Sequence, residues 1–168
     1  MSTDLLFDFS SSSADDPSDW RSVDDPVMGG VSESTFEATP NGAAFTGVVS
    51  LEQGGGFCSV RAPEASYDWS DADGLRLRLR GDGNRYWLTA YTDPGGPISY
   101  RAPLQPPEQW TEIDVPFARL TPYRRGSKVP DAPSFAPSAV RTIGFLIADE
   151  QAGPFRLDVA WIRPRTTK

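Results

Sequence analysis

The stretch Asp24–Ser34 reads "DDPVMGGVSES" and sets two adjacent carboxylates beside a glycine pair and two serines. Asp25 precedes Pro26, which biases its backbone to extended geometry, while Gly29 and Gly30 open a turn closed to other residues. Two chemistries fit. The carboxylate of Asp24 or Asp25 can accept backbone N–H groups, as in Asx turns, and fasten neighbouring loops. The same carboxylates can join Glu52, Asp131 or Asp149 as ligands for a structural calcium, which takes about six to eight oxygens at roughly 2.3–2.6 Å. No EF-hand spacing is present, and calcium is the one cofactor considered.

Two further segments have a similar polar, turn-forming character. "EQGGGFCSVR" (52–61) runs through three glycines to Arg61. A phosphate loop would open a helix, whereas this one leads into β-type residues. "ADEQAGPFRL" (148–157) carries Gln151 in a turn between strands. If these segments meet Asp24–Gly30 at one end of the fold, they form a polar rim. Asp24, Asp25, Gly29, Gly30, Ser32, Arg61 and Gln151 would border it.

A second candidate surface follows from "GLRLRLRG" and "RYWLTAYTD". Arg76, Arg78 and Arg80 point one way from their strand, and Trp87, Thr89 and Tyr91 share a face after the turn at Gly81–Asn84. Were the two sets cross-strand neighbours, guanidinium groups would stack on aromatic rings, each exposed pair contributing about 0.5–1 kcal/mol. Such a face is either solvated or a recognition surface, with Arg forks for carboxylates or phosphates and aromatics for sugars or protein.

Composition narrows the function classes. The chain has no histidine and one cysteine, Cys58. That removes the Ser-His-Asp triad, the Cys-His pair, the usual zinc sites and any internal disulfide. An acid–base pair such as Asp24 or Asp25 with Asp149 would need carboxyl groups about 5–10 Å apart. Nothing in the spacing fixes that distance, so the reading is non-catalytic. A net charge of −7 argues against nucleic-acid binding, which needs a basic footprint. No apolar run is long enough for a membrane span. The acidic N-terminus resembles neither a secretion signal nor a transit peptide. The expectation is a cytoplasmic protein, brought to the inner membrane only through a partner.

The elements that must position these residues are strands. Strict period two places Leu75, Leu77 and Leu79 on a buried face. Further strands are expected at 5–9, 43–52, 57–62, 85–93, 97–104, 110–117, 140–149 and 154–164. The last is expected to bury Phe155, Leu157, Val159 and Trp161. The segment "APSFAPSAV" has room for a short helical turn. Eight or more strands, punctuated by 15 glycines and 16 prolines, predict an all-β, two-sheet jelly-roll sandwich forming one domain over 1–168.

"DDPVMGGVSES", "GGGFCSVR", "LRLRGDG", "RGSKVPDAP" and "IGFLIADEQAGPFRL", in this order from about Trp20 to Trp161, resemble the complex I intermediate-associated protein 30 family. The resemblance implies a galactose-binding-like β-sandwich. It also implies a non-catalytic role, an assembly factor for intermediates of NADH:ubiquinone oxidoreductase, whose partners would be respiratory-complex subunits. The family supplies no catalytic residues to transfer. The alternative is a carbohydrate or small-molecule binding module, suggested by the sandwich together with Trp87, Tyr91 and Tyr100.

Overall fold

A computed structural model of the chain describes residues 7–9, 19–22, 33–50, 56–93, 96–124, 127–148 and 151–166. These residues form thirteen strands: β1 (Phe7–Asp8), β2 (Arg21–Ser22), β3 (Glu33–Thr39), β4 (Gly42–Val49), β5 (Cys58–Arg61), β6 (Gly74–Arg80), β7 (Tyr86–Tyr91), β8 (Ile98–Leu104), β9 (Thr111–Pro116), β10 (Thr121–Arg124), β11 (Ser127–Lys128), β12 (Thr142–Ile147) and β13 (Gly153–Arg165). The smaller sheet has the order β3-β4-β13-β6-β9, with β1 paired to β13; the larger runs β11-β10-β8-β7-β12-β5-β2. The described strand pairs are antiparallel. The two sheets face each other as a sandwich, the jelly-roll class expected from the strand pattern.

Alternation builds the core. Leu75, Leu77 and Leu79 of β6 are buried, as their period demands, opposite Leu88 of β7 and Ile143, Phe145 and Ile147 of β12. Each such side chain contributes about 1.5–3 kcal/mol by leaving water. Phe7, Phe9, Trp20 and Phe36 close one side of the core as an aromatic cluster, with Trp20 stacked on Phe145 at 6.1 Å. Cys58 is buried there as well. A 3-10 turn at Pro137–Ala139 occupies the segment expected to hold a short helical turn.

Three details depart from the sequence reading. The pairing of β13 with β6 shifts register between Val159 and Trp161. This bulge resets the alternation, so Ile162 enters the core while Trp161 turns outward and lies under Arg163 at 4.8 Å. The Gly81–Asn84 turn is not a hairpin, because β6 and β7 belong to different sheets. Finally, β3 and the short strands β2, β10 and β11 formed where no strand was expected. The latter two sit in a proline-rich stretch that reads as irregular.

Candidate functional site

The flanks of the rim segments share one end of the sandwich. Val49 pairs with Gly153 and Cys58 with Ile147, so the chain leaves β4, enters β5, leaves β12 and enters β13 side by side. Ser22 pairs with Val60, and Glu33 with Val48, which brings the two ends of segment 23–32 to the same place. Asp24, Asp25, Gly29, Gly30 and Ser32 themselves lie outside the described residues, as do Glu52 and Asp149. Among the described residues no cluster of three or more metal-capable side chains occurs.

Gln151 acts at this end as a clamp. Its carbonyl oxygen accepts from the Arg85 amide at 2.8 Å, and its Nε2 donates to the Arg85 and Ala148 carbonyls, each at 2.8 Å. Beside it, Asp82 accepts from the Tyr86 hydroxyl at 2.9 Å, the Arg156 amide at 2.7 Å and the Asn84 amide at 3.1 Å. Asp82 escaped the sequence reading, which treated its segment only as a turn. The single available sign was a carboxylate between two glycines.

The outer face of the larger sheet carries the other candidates. One row of directly opposed residues crosses six strands: Arg21, Arg61, Gly144, Thr89, Arg101 and Thr121. Opposed residues of an antiparallel pair share a face. Tyr91, Ser99 and Tyr123 lie one pleat repeat away on that face, and Trp87, Leu146 and Ser59 on the opposite flank. Thr89, Ser99, Ser59, Leu146 and Tyr91 of this face are buried although none belongs to the core cluster.

Two guanidinium groups rest on rings of this face. Arg61 of β5 lies 4.2 Å above the Tyr91 ring of β7. Both strands flank β12, so the arginine crosses that strand, and the position it passes is Gly144. Bare backbone there is enforced, since a Cβ on Gly144 would collide with the Val60 carbonyl. Arg101 lies 5.1 Å above Tyr123, whose ring meets Trp87 edge-on at 5.5 Å. Arg101 Nε donates to Ser99 Oγ at 3.0 Å. Arg61 Nε is excluded from solvent and has no hydrogen-bond partner.

The structure thus brings Arg61, Trp87 and Tyr91 together and separates Arg80 from them. The expected stacking of Arg76, Arg78 and Arg80 on the β7 aromatics does not form, because β6 and β7 face outward on opposite sides of the sandwich. Arg80 instead pairs with Asp158 at 3.2 Å and lies 4.8 Å over Trp110. Arg76 pairs with Asp114. Tyr100, considered as a sugar platform, points into the core, where its hydroxyl donates to the Pro133 carbonyl at 2.9 Å. Arg101 and Tyr123 were not anticipated. Arg101 was readable from the alternation of β8, whereas Tyr123 is hidden in the proline-rich stretch.

Hollows of about 590 and 700 Å³ lie at the opposite end, around Phe117–Pro122, Pro97, Arg124 and Ser127–Phe135. The smaller is walled mainly by proline, alanine and phenylalanine, with Lys128 as its one charged lining residue. The larger is lined by Pro97, Arg124, Ser127, Lys128 and Val129.

The sequence profile of complex I intermediate-associated protein 30 matches residues 7–159. The chain belongs to the complex I intermediate-associated protein 30 family. The mitochondrial member from Mus musculus is 28% identical over 166 residues, covering 85% of this chain and 51% of its own length. This family member therefore spans about half the length of that relative. Among solved structures, the family 11 carbohydrate-binding module of a Clostridium thermocellum cellulosomal cellulase superposes with a TM-score of 0.66 at 15% identity, covering 98% of this chain and 96% of that one. The same kind of module in complex with a β-1,3-1,4-mixed-linked tetrasaccharide gives 0.64 at 16% identity, over 89% and 91% of the two chains. At these identities the likeness establishes the two-sheet β-sandwich fold alone.

Proposed function

We propose that the chain is a non-catalytic carbohydrate-binding module that holds an extended sugar ligand on the outer face of the larger sheet. One observation carries this reading: Arg61 lies on Tyr91 across the bare backbone of Gly144, in a row that continues through Thr89 to Arg101. Between Arg61 and Arg101 the row advances three strand spacings, about 14 Å. Small residues floor the interval, and the half-buried Trp87 and Tyr123 supply apolar surface beside polar donors, the mixture that sugar rings require. A module of the same fold solved with a tetrasaccharide supports the class of ligand. Titration of the isotopically labelled protein with oligosaccharides tests the reading. Amide shifts confined to β5, β7, β8 and β12, and lost in Tyr91→Ala, are expected. Shifts centred on the smaller sheet, or none with any oligosaccharide, would remove it.

A second reading has its own support in the family match. In it the polar rim, bordered by segments 23–32, 50–57 and 148–152, seats a protein subunit during assembly of NADH:ubiquinone oxidoreductase, in the cytoplasm. Affinity capture from the native host, combined with the activity of the oxidoreductase in a deletion strain, separates the two. Co-purifying subunits and an assembly defect are its expected signature; a normal complex and no captured subunit rule it out.

A further inference from the structure

We infer that the sugar held on this face carries a carboxylate, and that Arg61 is the group that binds it. The inference rests on the carbohydrate-binding reading above and adds the charge of the ligand. Its starting point is an imbalance. The chain carries a net charge of −7, yet the described strand residues of this outer face include Arg21, Arg61 and Arg101 and no aspartate or glutamate. On the opposite face four arginines have carboxylate partners, Arg76 with Asp114, Arg80 and Arg156 with Asp158, and Arg165 with Asp73 and Asp114, while Arg78 and Arg163 rest on Trp110 and Trp161.

Arg61 completes the argument. A guanidinium presents five donors in a fixed planar fork, suited to the two oxygens of a carboxylate. Stacking on Tyr91 at 4.2 Å holds that plane flat against the ring. Its Nε is the one solvent-excluded side-chain nitrogen or oxygen, among the described residues, left without a hydrogen bond. A carboxylate approaching this face from solvent would meet the exposed donors of the fork and leave the buried Nε as it is. It would also place a negative charge beside a cation that has no counter-ion within the described chain. Arg101, three strands away on the same row, offers a second contact to the same oligomer.

Calorimetric and NMR titrations with oligogalacturonate, its methyl ester, a neutral cello-oligosaccharide and an oligoglutamate peptide test the inference. Oligogalacturonate is expected to bind and to shift the amides around Arg61, Thr89 and Arg101. Methyl esterification is expected to weaken it about 10- to 100-fold, the range for loss of a charged hydrogen bond. Arg61→Gln should cost a similar factor, with no more than a small drop in thermal midpoint from loss of the stack on Tyr91. The esterification comparison uses the unaltered protein and stands even if that variant fails to fold. Equal binding of acid and ester, or binding of the neutral oligosaccharide alone, would overturn the charge inference and leave the carbohydrate reading intact. Binding of oligoglutamate alone, or of none of these probes, would overturn both.

Discussion

The Tyr86 hydroxyl donates to the Asp82 carboxylate at 2.9 Å, joining the turn after β6 to the first residue of β7, whose side chain is buried. The same carboxylate accepts from the amide of Arg156 in β13, so one side chain ties the two sheets together at the rim.

Replacing Tyr86 by phenylalanine removes one hydrogen bond to a charged acceptor. A loss of about 1.5–3 kcal/mol is expected in urea denaturation. A variant as stable as the parent would show that Asp82 is satisfied by its backbone partners alone.

The pH dependence of the same pair has a definite sign. Burial first, then the charge of Asp82 and the hydrogen bond to it, raise the Tyr86 phenol well above its ordinary value. The folded state therefore keeps a proton that the unfolded chain releases above about pH 10. The associated stability is fully present below that pH and declines as pH rises further. Alkaline unfolding should be steeper in the parent than in Tyr86→Phe. Parallel curves would count against the linkage.

Asp114 behaves in the opposite sense. The hydrogen bond from Arg76 is the main cause holding its carboxyl below the ordinary range, and burial opposes it. Its stabilising contribution is present above about pH 4, the unfolded value, and is lost as pH falls through the lower folded value. Asp114→Asn should be less stable than the parent at neutral pH and indistinguishable from it in strong acid. A stability difference that persists unchanged into acid would refute this assignment. Both partners are about one-third exposed, so the effect is small and salt-sensitive.

The bulge in β13 separates two neighbouring residues energetically. Ile162→Ala should cost about 2–5 kcal/mol by opening a cavity in the core. Trp161→Ala removes a ring on the outer face and should cost far less. Equal losses, measured by thermal or chemical unfolding, would restore the uninterrupted alternation.

Gly144→Ala forces a methyl group against the Val60 carbonyl. Overpacking of this kind costs about 1–3 kcal/mol. The substitution should also displace Arg61 from Tyr91, which a shift of the Tyr91 ring resonances would report. An unperturbed ring would mean that the bare position is not what lets the arginine cross.

Much of the architecture was legible in the chain. Leu75, Leu77 and Leu79 announce a half-buried strand because side chains alternate at a period of two, and repetition of that pattern makes a sandwich the economical arrangement. The strands missed are those whose local signal is weak. In β3 the buried Phe36 is the main apolar sign, and β10 carries a proline that usually argues against a strand.

The grouping of functional side chains was a different matter. Period two told that Arg76–Arg80 share one face and Trp87–Tyr91 another, but not which sheet each strand joins. Adjacent strands in sequence pair in one sheet often enough to suggest a hairpin. Here the chain crosses between sheets, so Arg80 was carried to the far side and Arg101 and Tyr123 took the place beside Trp87. Local residue types determined strands, turns and the lack of histidine chemistry. Long-range pairing decided which arginine meets which ring, because register and sheet membership follow from packing two whole layers together rather than from any short segment.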